Sequence, residues 1–364
     1  MYLTMNWMDI VVKFLIGMGF IAGIFDAVQN NRFGLAEKFR QGFYMIGSMM
    51  LSMTGIMSIA PVIALILKPV AVPVFRILHM DPSILGVLLS CDMGGYPLAM
   101  SLAEDRRIGL MMGITTAGML GGTLTFSIPV GAALLKEEKS EDYFQGLLIG
   151  VSCIPVGSII NGILLKIPFS QVIWNNILII LLTVLILAGM KYRPVQMSRI
   201  MRSLARTMEI LGLFGIGLGG IQYLIGKELI PSFTPLMDSM ETVCRMGITL
   251  IGMLPAIEIL LRLLKKSLEA LGRRIGIDGV STSGLLISMV TTVPVYPLME
   301  QMPRRGLIIN SVWTVFCSSI LGSQMGLIMG IDSNLLLPFY ISRLAAAFTA
   351  VLAASVILNR EQSG

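Results

Sequence analysis

The sequence has few charged residues: only 13% of its 364 residues are Asp, Glu, Lys or Arg, against about 25% in a typical soluble domain. No hydrophilic stretch is long enough to bury a core of its own, which excludes a separate soluble domain. Apolar residues are correspondingly frequent and make up 55% of the chain. Apolar stretches of roughly 20 residues are typical of helices that cross a bilayer. The sequence therefore predicts an all-α integral membrane protein.

Groups that carry catalysis or bind metals are also scarce. The chain has one histidine, His79, and its four cysteines form no CxxC pair, so we expect neither a metal site nor a disulfide framework. P-loop, GxSxG and HExxH motifs are missing, which argues against an enzyme, an ATP-driven pump and a bound cofactor. The 28 methionines show no clustered spacing. We interpret them as packing residues rather than a soft-metal pathway.

The apolar residues fall into eleven segments, from which about nine to eleven transmembrane helices are expected. The segments are 7–28, 41–67, 83–103, 109–135, 143–165, 172–190, 209–226, 241–261, 281–301, 306–330 and 335–358.

Short motifs recur in the same order in the two halves of the chain, at a nearly constant separation. The matches include Gly17-Met-Gly19 with Gly215-Ile-Gly217, Tyr96-Pro97-Leu98 with Tyr296-Pro297-Leu298, and Arg106-Arg107 with Arg304-Arg305. They indicate an internal duplication within a single membrane domain. Residues 1–171 would form the first repeat, 172–208 a linker helix and cytoplasmic loop, and 209–364 the second repeat.

The third and ninth segments, 83–103 and 281–301, carry helix breakers near their centres, around Pro97 and Pro294. If both segments enter and leave the membrane on one side, most loop lysines and arginines lie on a single side, as cytoplasmic loops require. The two halves then become inverted repeats with broken segments, a plan common among secondary transporters. This assignment places the N-terminus outside and the C-terminus in the cytoplasm. The alternative is eleven ordinary helices, two of them kinked.

The basic loops also account for the net charge of +6, so no nucleic-acid partner is expected. The partner implied by the composition is the lipid bilayer.

Asp92 lies at the centre of an otherwise apolar segment. A carboxylate there costs roughly 2.5–3.5 kcal/mol on insertion, so it should face a cavity or a partner. We interpret Asp92 as a counter-ion for a cationic substrate. The alternatives are a structural pair with Lys13 and a cap on the half-helix that follows.

The candidate substrate-binding residues form two clusters, one from each broken segment. They are Ser90, Asp92, Gly94, Gly95 and Tyr96 in the first half, and Thr291, Thr292 and Tyr296 in the second. An inverted pair of broken segments would bring the clusters together near mid-membrane. One carboxylate among several hydroxyls suits a small amino-alcohol better than an organic anion, which an arginine pair would clamp.

Other polar residues within the spans are expected to be structural. Arg245 follows Glu241, and Arg262 follows Glu258, at the i,i+4 spacing of helix ion pairs. Arg343 is embedded more deeply and needs a partner inside the membrane. The default role of Asn161, Asn310, Ser323 and Gln324 is hydrogen bonding between helices, and the paired glycines of segments 1 and 7 predict close helix packing.

The run Cys91-Asp92-Met93-Gly94-Gly95-Tyr96-Pro97-Leu98-Ala99 resembles the ethanolamine permease family of bacterial ethanolamine-utilisation operons. Pro61-Val-Ile, Pro82-Ser-Ile and Thr125-Phe-Ser-Ile-Pro129-Val-Gly are similar to the family as well, and the resemblance covers most of the chain.

The resemblance implies an inner-membrane permease that supplies ethanolamine, a cation at neutral pH. Asp92 would pair with its ammonium group, while Ser90, Tyr96 and the Thr291–Thr292 cluster would orient its hydroxyl group. Movement of a unit containing both broken segments would give alternating access, and a homodimer is possible. Three other functions remain: a transporter for another small cation or zwitterion, a passive channel, and a membrane-embedded sensor or enzyme.

Overall fold

The computed structural model describes residues 7–89, 95–274 and 276–363. All regular structure in these ranges is helical. The α-helices are α1 (Trp7–Val28), α2 (Leu35–Met49), α3 (Gly55–Ile77), α4 (Ile84–Leu88), α5 (Gly95–Leu102), α6 (Arg106–Leu110), α7 (Ala117–Gly122), α8 (Ile128–Leu134), α9 (Glu137–Ser152), α10 (Ile154–Leu164), α11 (Phe169–Tyr192), α12 (Pro194–Ile225), α13 (Leu236–Arg274), α14 (Gly279–Val290), α15 (Val295–Met299), α16 (Arg304–Cys317), α17 (Ser323–Ile331) and α18 (Leu336–Ser363). Short π-helical stretches join α2 to α3, α6 to α7 and α7 to α8.

Eight helices within the described ranges are long and apolar enough to cross a membrane. They are Ile10–Val28, Gly55–Ile77, Arg106–Gly131, Glu137–Leu164, Phe169–Met190, Arg199–Ile225, Leu236–Leu263 and Ser333–Glu361. The expected all-α, multi-pass membrane fold is therefore confirmed.

One of these helices, Arg106–Gly131, forms the centre of the bundle, and we call it the central span. In its apolar window 89% of the residues are buried, whereas no other candidate helix exceeds 56%. It is the only one of the eight with almost no lipid-facing surface, so both broken segments and the outer helices can pack around it.

The third segment is a re-entrant hairpin, not a kinked helix. Its two arms, α4 and α5, touch backbone to backbone: a Cβ atom built on Gly86 would lie 2.5 Å from the amide nitrogen of Ala99. The buried Asp81 carboxylate joins the two ends, accepting the backbone N–H groups of Glu104 and Asp105 at 3.0 Å each. The chain therefore enters and leaves on the same side, and we call α4 and α5 the first hairpin.

The ninth segment, α14 and α15, reverses in the same way and is called the second hairpin. Asn310, just beyond it, donates its side-chain amide to the carbonyl oxygen of Ser281, at its start, over 3.0 Å. Gly306 packs directly on the Ser281 side chain. The predicted re-entrant course of both segments is thus confirmed, while the duplication that would relate them stays a prediction.

The tenth segment differs from the expected single helix of residues 306–330. It consists of α16 and α17, separated by the irregular stretch 318–322, and we call the whole the broken span. Arg304 at its start pairs with Glu361 at the end of α18 over 2.8 Å, while Ile331 leads directly into the start of α18. The broken span therefore runs antiparallel to α18, which brings the number of candidate crossings within the described residues to nine.

The loop contacts separate into two faces, as the re-entrant assignment requires. On one face Arg304 pairs with Asp142 over 3.0 Å, in addition to Glu361. On the other face Arg76 pairs with Glu104 over 2.8 Å. The re-entrant assignment places these two loops on opposite sides of the membrane.

The predicted close packing of the segment 1 and 7 glycines holds at one glycine of each pair. A Cβ atom on Gly19 would collide with the backbone of Gly252, and one on Gly215 with the backbone of Gly55. Gly17 and Gly217 have no neighbour within 4 Å. α12 begins at Pro194 and continues without a break into the seventh span, while the division of the chain into two repeats and a linker stays a prediction.

Candidate functional site

A cavity of about 80 Å³ lies beside the midpoint of the central span. Three elements line it: the central span from Gly118 to Ser127, the break of the second hairpin, and the broken span. Their polar side chains in the wall include Thr123, Ser127, Thr292, Thr314, Ser318 and Gln324. A single water molecule needs roughly 10–15 Å³ of cavity volume. The cavity therefore has room for a molecule of a few heavy atoms.

The break of the second hairpin brings two threonines to this wall. Pro294 has no N–H to donate and follows directly after Thr291, Thr292 and Val293, so the helix ends at Val290 and resumes at Val295. Both threonines line the cavity. The Thr292 hydroxyl is hydrogen-bonded to the Ser318 hydroxyl of the broken span.

The irregular part of the broken span is held in place by the second hairpin. The backbone N–H groups of Ser319 and Leu321 donate to the carbonyl oxygens of Ser288 and Met289, each over 2.8 Å. A Cβ atom on Gly322 would collide with the Val290 carbonyl oxygen, so only glycine permits this approach. The hairpin and the broken span are therefore linked by main-chain bonds at the cavity.

The central span contributes a π-helical turn to the cavity. Residues 123–127 are π-helical, and Thr123 and Ser127 within this turn line the wall. The Thr123 hydroxyl donates to the Met119 carbonyl oxygen over 2.7 Å. Such turns are rare and are frequently found at functional sites.

An arginine reaches the cavity region from α18. Arg343 is 1% exposed, and its guanidinium carbon lies 4.9 Å from the centre of the Phe339 ring. A Cβ atom on Gly118 would lie 2.9 Å from Arg343 Nη2 and 3.0 Å from Gln324 Oε1. The missing side chain of Gly118 thus leaves room for both the guanidinium of Arg343 and the amide of Gln324 beside this glycine.

Tyr296, predicted to bind substrate, lies behind the wall. It is 1% exposed, and its hydroxyl is 3.3 Å from that of Tyr143, which donates to the Ser127 carbonyl oxygen over 2.8 Å. Tyr296 therefore supports a cavity-lining residue and does not line the cavity itself.

The first-half cluster is only partly described. Ser90, Asp92 and Gly94 lie outside the described residues. Gly95 is buried, and Tyr96 packs with its Cα atom against Gly113 of the central span and with its ring against a cluster that includes Met246 and Leu327. Neither residue lines the cavity. Both flanks of residues 90–94 nevertheless contact the central span, because α4 packs on α7 and α5 on the π-helical turn before it.

Several cavity residues were not predicted. Gln324 was assigned to helix contacts, and Ser127, Thr314 and Ser318 were not singled out. A signal was present in the broken span, where the run Ser318-Ser319 and the sequence Gly322-Ser323-Gln324 place small and polar residues at mid-segment. No comparable signal marks Thr314, because a single threonine in a span usually bonds to its own helix.

The two surface ion pairs predicted from spacing are confirmed. Arg245 contacts Glu241 over 2.6 Å and Arg262 contacts Glu258 over 2.8 Å. Asp9 precedes Lys13 by the same spacing of four residues, and its side chain lies outside the described residues. The described part of the chain contains no group of three or more His, Cys, Asp or Glu residues placed to hold a metal ion.

Comparison with known proteins gives a consistent result. Residues 8–357 match the family described as ethanolamine utilisation protein, EutH. The chain is 30% identical to a probable ethanolamine permease EutH of Listeria monocytogenes, covering 96% of this chain and 94% of the relative. It is 28% identical to the probable ethanolamine permease EutH of Escherichia coli, covering 91% of this chain and 87% of the relative. It is 30% identical to the uncharacterised protein YxeR of Bacillus subtilis, covering 94% of this chain and 93% of the relative. No solved structure matches the chain.

Proposed function

The chain belongs to the family of ethanolamine utilisation protein EutH, and on that premise we propose that it is a secondary transporter carrying ethanolamine across the bacterial cytoplasmic membrane. The observation that carries the proposal is the small cavity beside the middle of the central span, lined by hydroxyl groups and one amide. Ethanolamine has four heavy atoms, and its hydroxyl group both donates and accepts a hydrogen bond. Its size and polarity match those of the cavity.

The ammonium group needs a negative partner, because a charge in the membrane interior is costly unless it is paired. We assign that role to Asp92. The described residues on both sides of its segment support this choice, since α4 and α5 pack against the same helix whose Gly118 and Gly122 line the cavity. The Thr292 and Ser318 hydroxyls, which bond to each other at the cavity wall, would turn to the substrate hydroxyl.

Access would alternate between the two faces through movement of both hairpins together. The second hairpin cannot move apart from the broken span without losing the bonds from Ser319 and Leu321. The first hairpin touches the central span closely at Gly113. These contacts favour a unit of both hairpins, the central span and the broken span, moving against α1, α2 and α13. The charge distribution favours a cytoplasmic C-terminus.

The test is uptake of labelled ethanolamine into proteoliposomes, at a pH where the amine is almost wholly protonated. Saturable uptake is expected in the wild type. Asp92→Asn should raise the KM by about ten- to a hundredfold, the effect of losing a hydrogen bond to a charged group. Asp238→Asn, at an exposed carboxylate at the start of α13, is the matched control and should leave the KM unchanged.

Three outcomes would contradict parts of the proposal. Uptake no faster than into empty liposomes would exclude ethanolamine as the substrate, and flux that does not saturate would indicate a channel. Normal KM in Asp92→Asn would return this carboxylate to a structural role. Thr292→Val should raise the KM severalfold, whereas Thr349→Val, at an exposed hydroxyl bonded to its own helix, should not.

A further inference from the structure

A second cavity, far larger than the first, lies on the face of the protein that carries the ion pair of Arg76 with Glu104. Its volume is about 740 Å³. Its walls are the C-terminal end of α3, the start of α11, and residues 104–108, where the first hairpin ends and the central span begins. Cavities that bind organic ligands typically measure about 300–1,000 Å³. We call this one the interface cavity, because of its depth in the membrane.

The spans around the interface cavity fix that depth. Arg76 is the penultimate residue of the candidate span Gly55–Ile77. Ser170 is the second residue of the candidate span Phe169–Met190. Ile108 lies in the first turn of the central span. The ends of three spans therefore meet at the boundary between hydrocarbon and water, which is where phospholipid headgroups lie.

The helix surfaces next to the cavity face lipid. Val70 and Val74 are exposed on α3, one and two turns deeper in the membrane than its end, and Ile173 is exposed on α11. Trp174, in the wall itself, is half-exposed, as is typical of the tryptophans that line membrane interfaces. A lipid whose headgroup fills the cavity could therefore lay its acyl chains along α3 and α11.

The wall of the interface cavity carries charges of both signs. Arg76 and Glu104 meet over 2.8 Å, and their side chains are 71% and 44% exposed. A guanidinium has five N–H donors and a carboxylate accepts about four hydrogen bonds, so one contact between them leaves capacity on both. His79, one turn after Arg76, adds an exposed N–H donor to the same wall. Such an exposed ion pair contributes little to stability and opens readily for a ligand.

The other carboxylates of the wall are engaged with the protein. Asp81 is buried and accepts three backbone N–H groups, and Asp105 pairs with Arg107 over 2.8 Å. The Asp105 side chain is also less exposed than that of Glu104. Glu104 is therefore the carboxylate of this wall that is best placed to meet a cation from the membrane surface.

We propose that the interface cavity binds a membrane phospholipid whose headgroup carries both a phosphate and a primary ammonium group, as in phosphatidylethanolamine. Arg76 and His79 would donate to the phosphate, which the planar guanidinium matches with two parallel N–H groups. Glu104 would accept from the ammonium group. A glycerol headgroup would give Glu104 no positive partner, and a choline headgroup has no N–H to donate. The inference is independent of the transported substrate.

The experiment measures which lipids the purified full-length protein retains. The protein is equilibrated with mixed micelles that contain equal amounts of phosphatidylethanolamine, phosphatidylglycerol and phosphatidylcholine with the same acyl chains, and native mass spectrometry counts the lipids that stay bound. The wild type should retain phosphatidylethanolamine in preference to the other two. Glu104→Gln should lower the ratio of phosphatidylethanolamine to phosphatidylglycerol about two- to fivefold, the effect of one exposed ion pair.

Arg76→Ala should lower the retention of all three lipids by a similar factor, because each of them carries a phosphate. Arg76→Lys covers the case in which Arg76→Ala does not fold, and it should act in the same direction because lysine lacks the planar fork. The matched controls are Arg245→Ala and Glu241→Gln, which remove the same residue types from an exposed ion pair outside the cavity. Both controls should leave the amounts and the ratio unchanged.

Three results would overturn the inference. The first is equal retention of the three lipids by the wild type, and the second is an unchanged ratio in folded Glu104→Gln. The third is displacement of the bound lipid by soluble phosphorylethanolamine at the same headgroup concentration, because the cavity would then take a soluble phosphate ester. None of these measurements depends on uptake of ethanolamine, so failure of the proposed function would be seen separately.

Discussion

The Asp81 carboxylate should be one of the largest single contributors to the stability of the first hairpin. It accepts the backbone N–H of Ser83 over 2.8 Å and those of Glu104 and Asp105 over 3.0 Å, and it is 6% exposed. Asp81→Ala removes the acceptor for three donors at once. Two of these donors belong to the far end of the hairpin, so the closure of its two ends depends on one side chain.

The expected loss follows from these three bonds. A hydrogen bond to a charged group contributes about 1.5–3 kcal/mol, but Glu104 and Asp105 are near the surface and water can replace part of what is lost. We therefore expect Asp81→Ala to lower the free energy of unfolding by about 2–4 kcal/mol. Asp81→Asn keeps one acceptor oxygen and should lie between the wild type and Asp81→Ala.

Asp278 is the matched control, since it occupies the corresponding place before the second hairpin. Within the described residues its carboxylate bonds at the first turn of α14, to the backbone N–H and hydroxyl of Ser281. Asp278→Ala should therefore cost only about 1 kcal/mol, the usual effect of losing a helix cap. Unfolding of the purified protein in detergent, followed by circular dichroism, measures both. Equal destabilisation by the two substitutions would refute the idea that Asp81 closes the hairpin.

Two other substitutions test the packing. Gly86→Ala places a Cβ atom 2.5 Å from the Ala99 backbone nitrogen, so the yield of monodisperse protein should fall sharply. Gly217→Ala is the control and should leave the yield unchanged, because a Cβ atom there has no neighbour within 4 Å. Equal yields of the two variants would show that the hairpin arms do not touch. Arg245→Ala removes an exposed ion pair with Glu241 and should change the free energy of unfolding by less than about 1 kcal/mol. A larger loss of stability in the same unfolding assay would contradict a minor role for this ion pair.

The sequence carries enough information to locate the two hairpins, because their cause is local. Pro97 and Pro294 disfavour a continuous regular helix, and the glycines beside the first of them weaken it further. Charge counting then requires both segments to return to the side they came from. The ion pair of Arg262 with Glu258 is equally local, since a spacing of four residues brings the two side chains together on any helix.

The break in the tenth segment has a different origin. Residues 318–322 contain no proline, and serine and glycine occur within ordinary membrane helices. What stabilises the irregular backbone is a pair of bonds to Ser288 and Met289, about thirty residues earlier in the chain. A non-local cause of this kind leaves only a weak trace, the cluster of small polar residues from Ser318 to Gln324.

The repeated Tyr-Pro-Leu motif predicts the course of the backbone in both hairpins but not the surroundings of its side chains. It correctly marks the second arm of each hairpin. The two tyrosines nevertheless have different surroundings, because Tyr296 meets Tyr143 while Tyr96 packs beside Gly113. The motif therefore predicts the backbone at both places but not which side chain comes near the cavity.

The two π-helical turns of the central span, at residues 111–116 and 123–127, have a consequence for its sequence pattern. A π turn holds one residue more than the α turn it replaces, so every side chain beyond it is rotated by about 100° relative to a regular helix. No single apolar stripe can then run the length of the helix. Deleting one residue within residues 123–127 would restore regular winding and turn α8 away from its present neighbours, so this helix should tolerate exchanges of side chains far better than a change in its length.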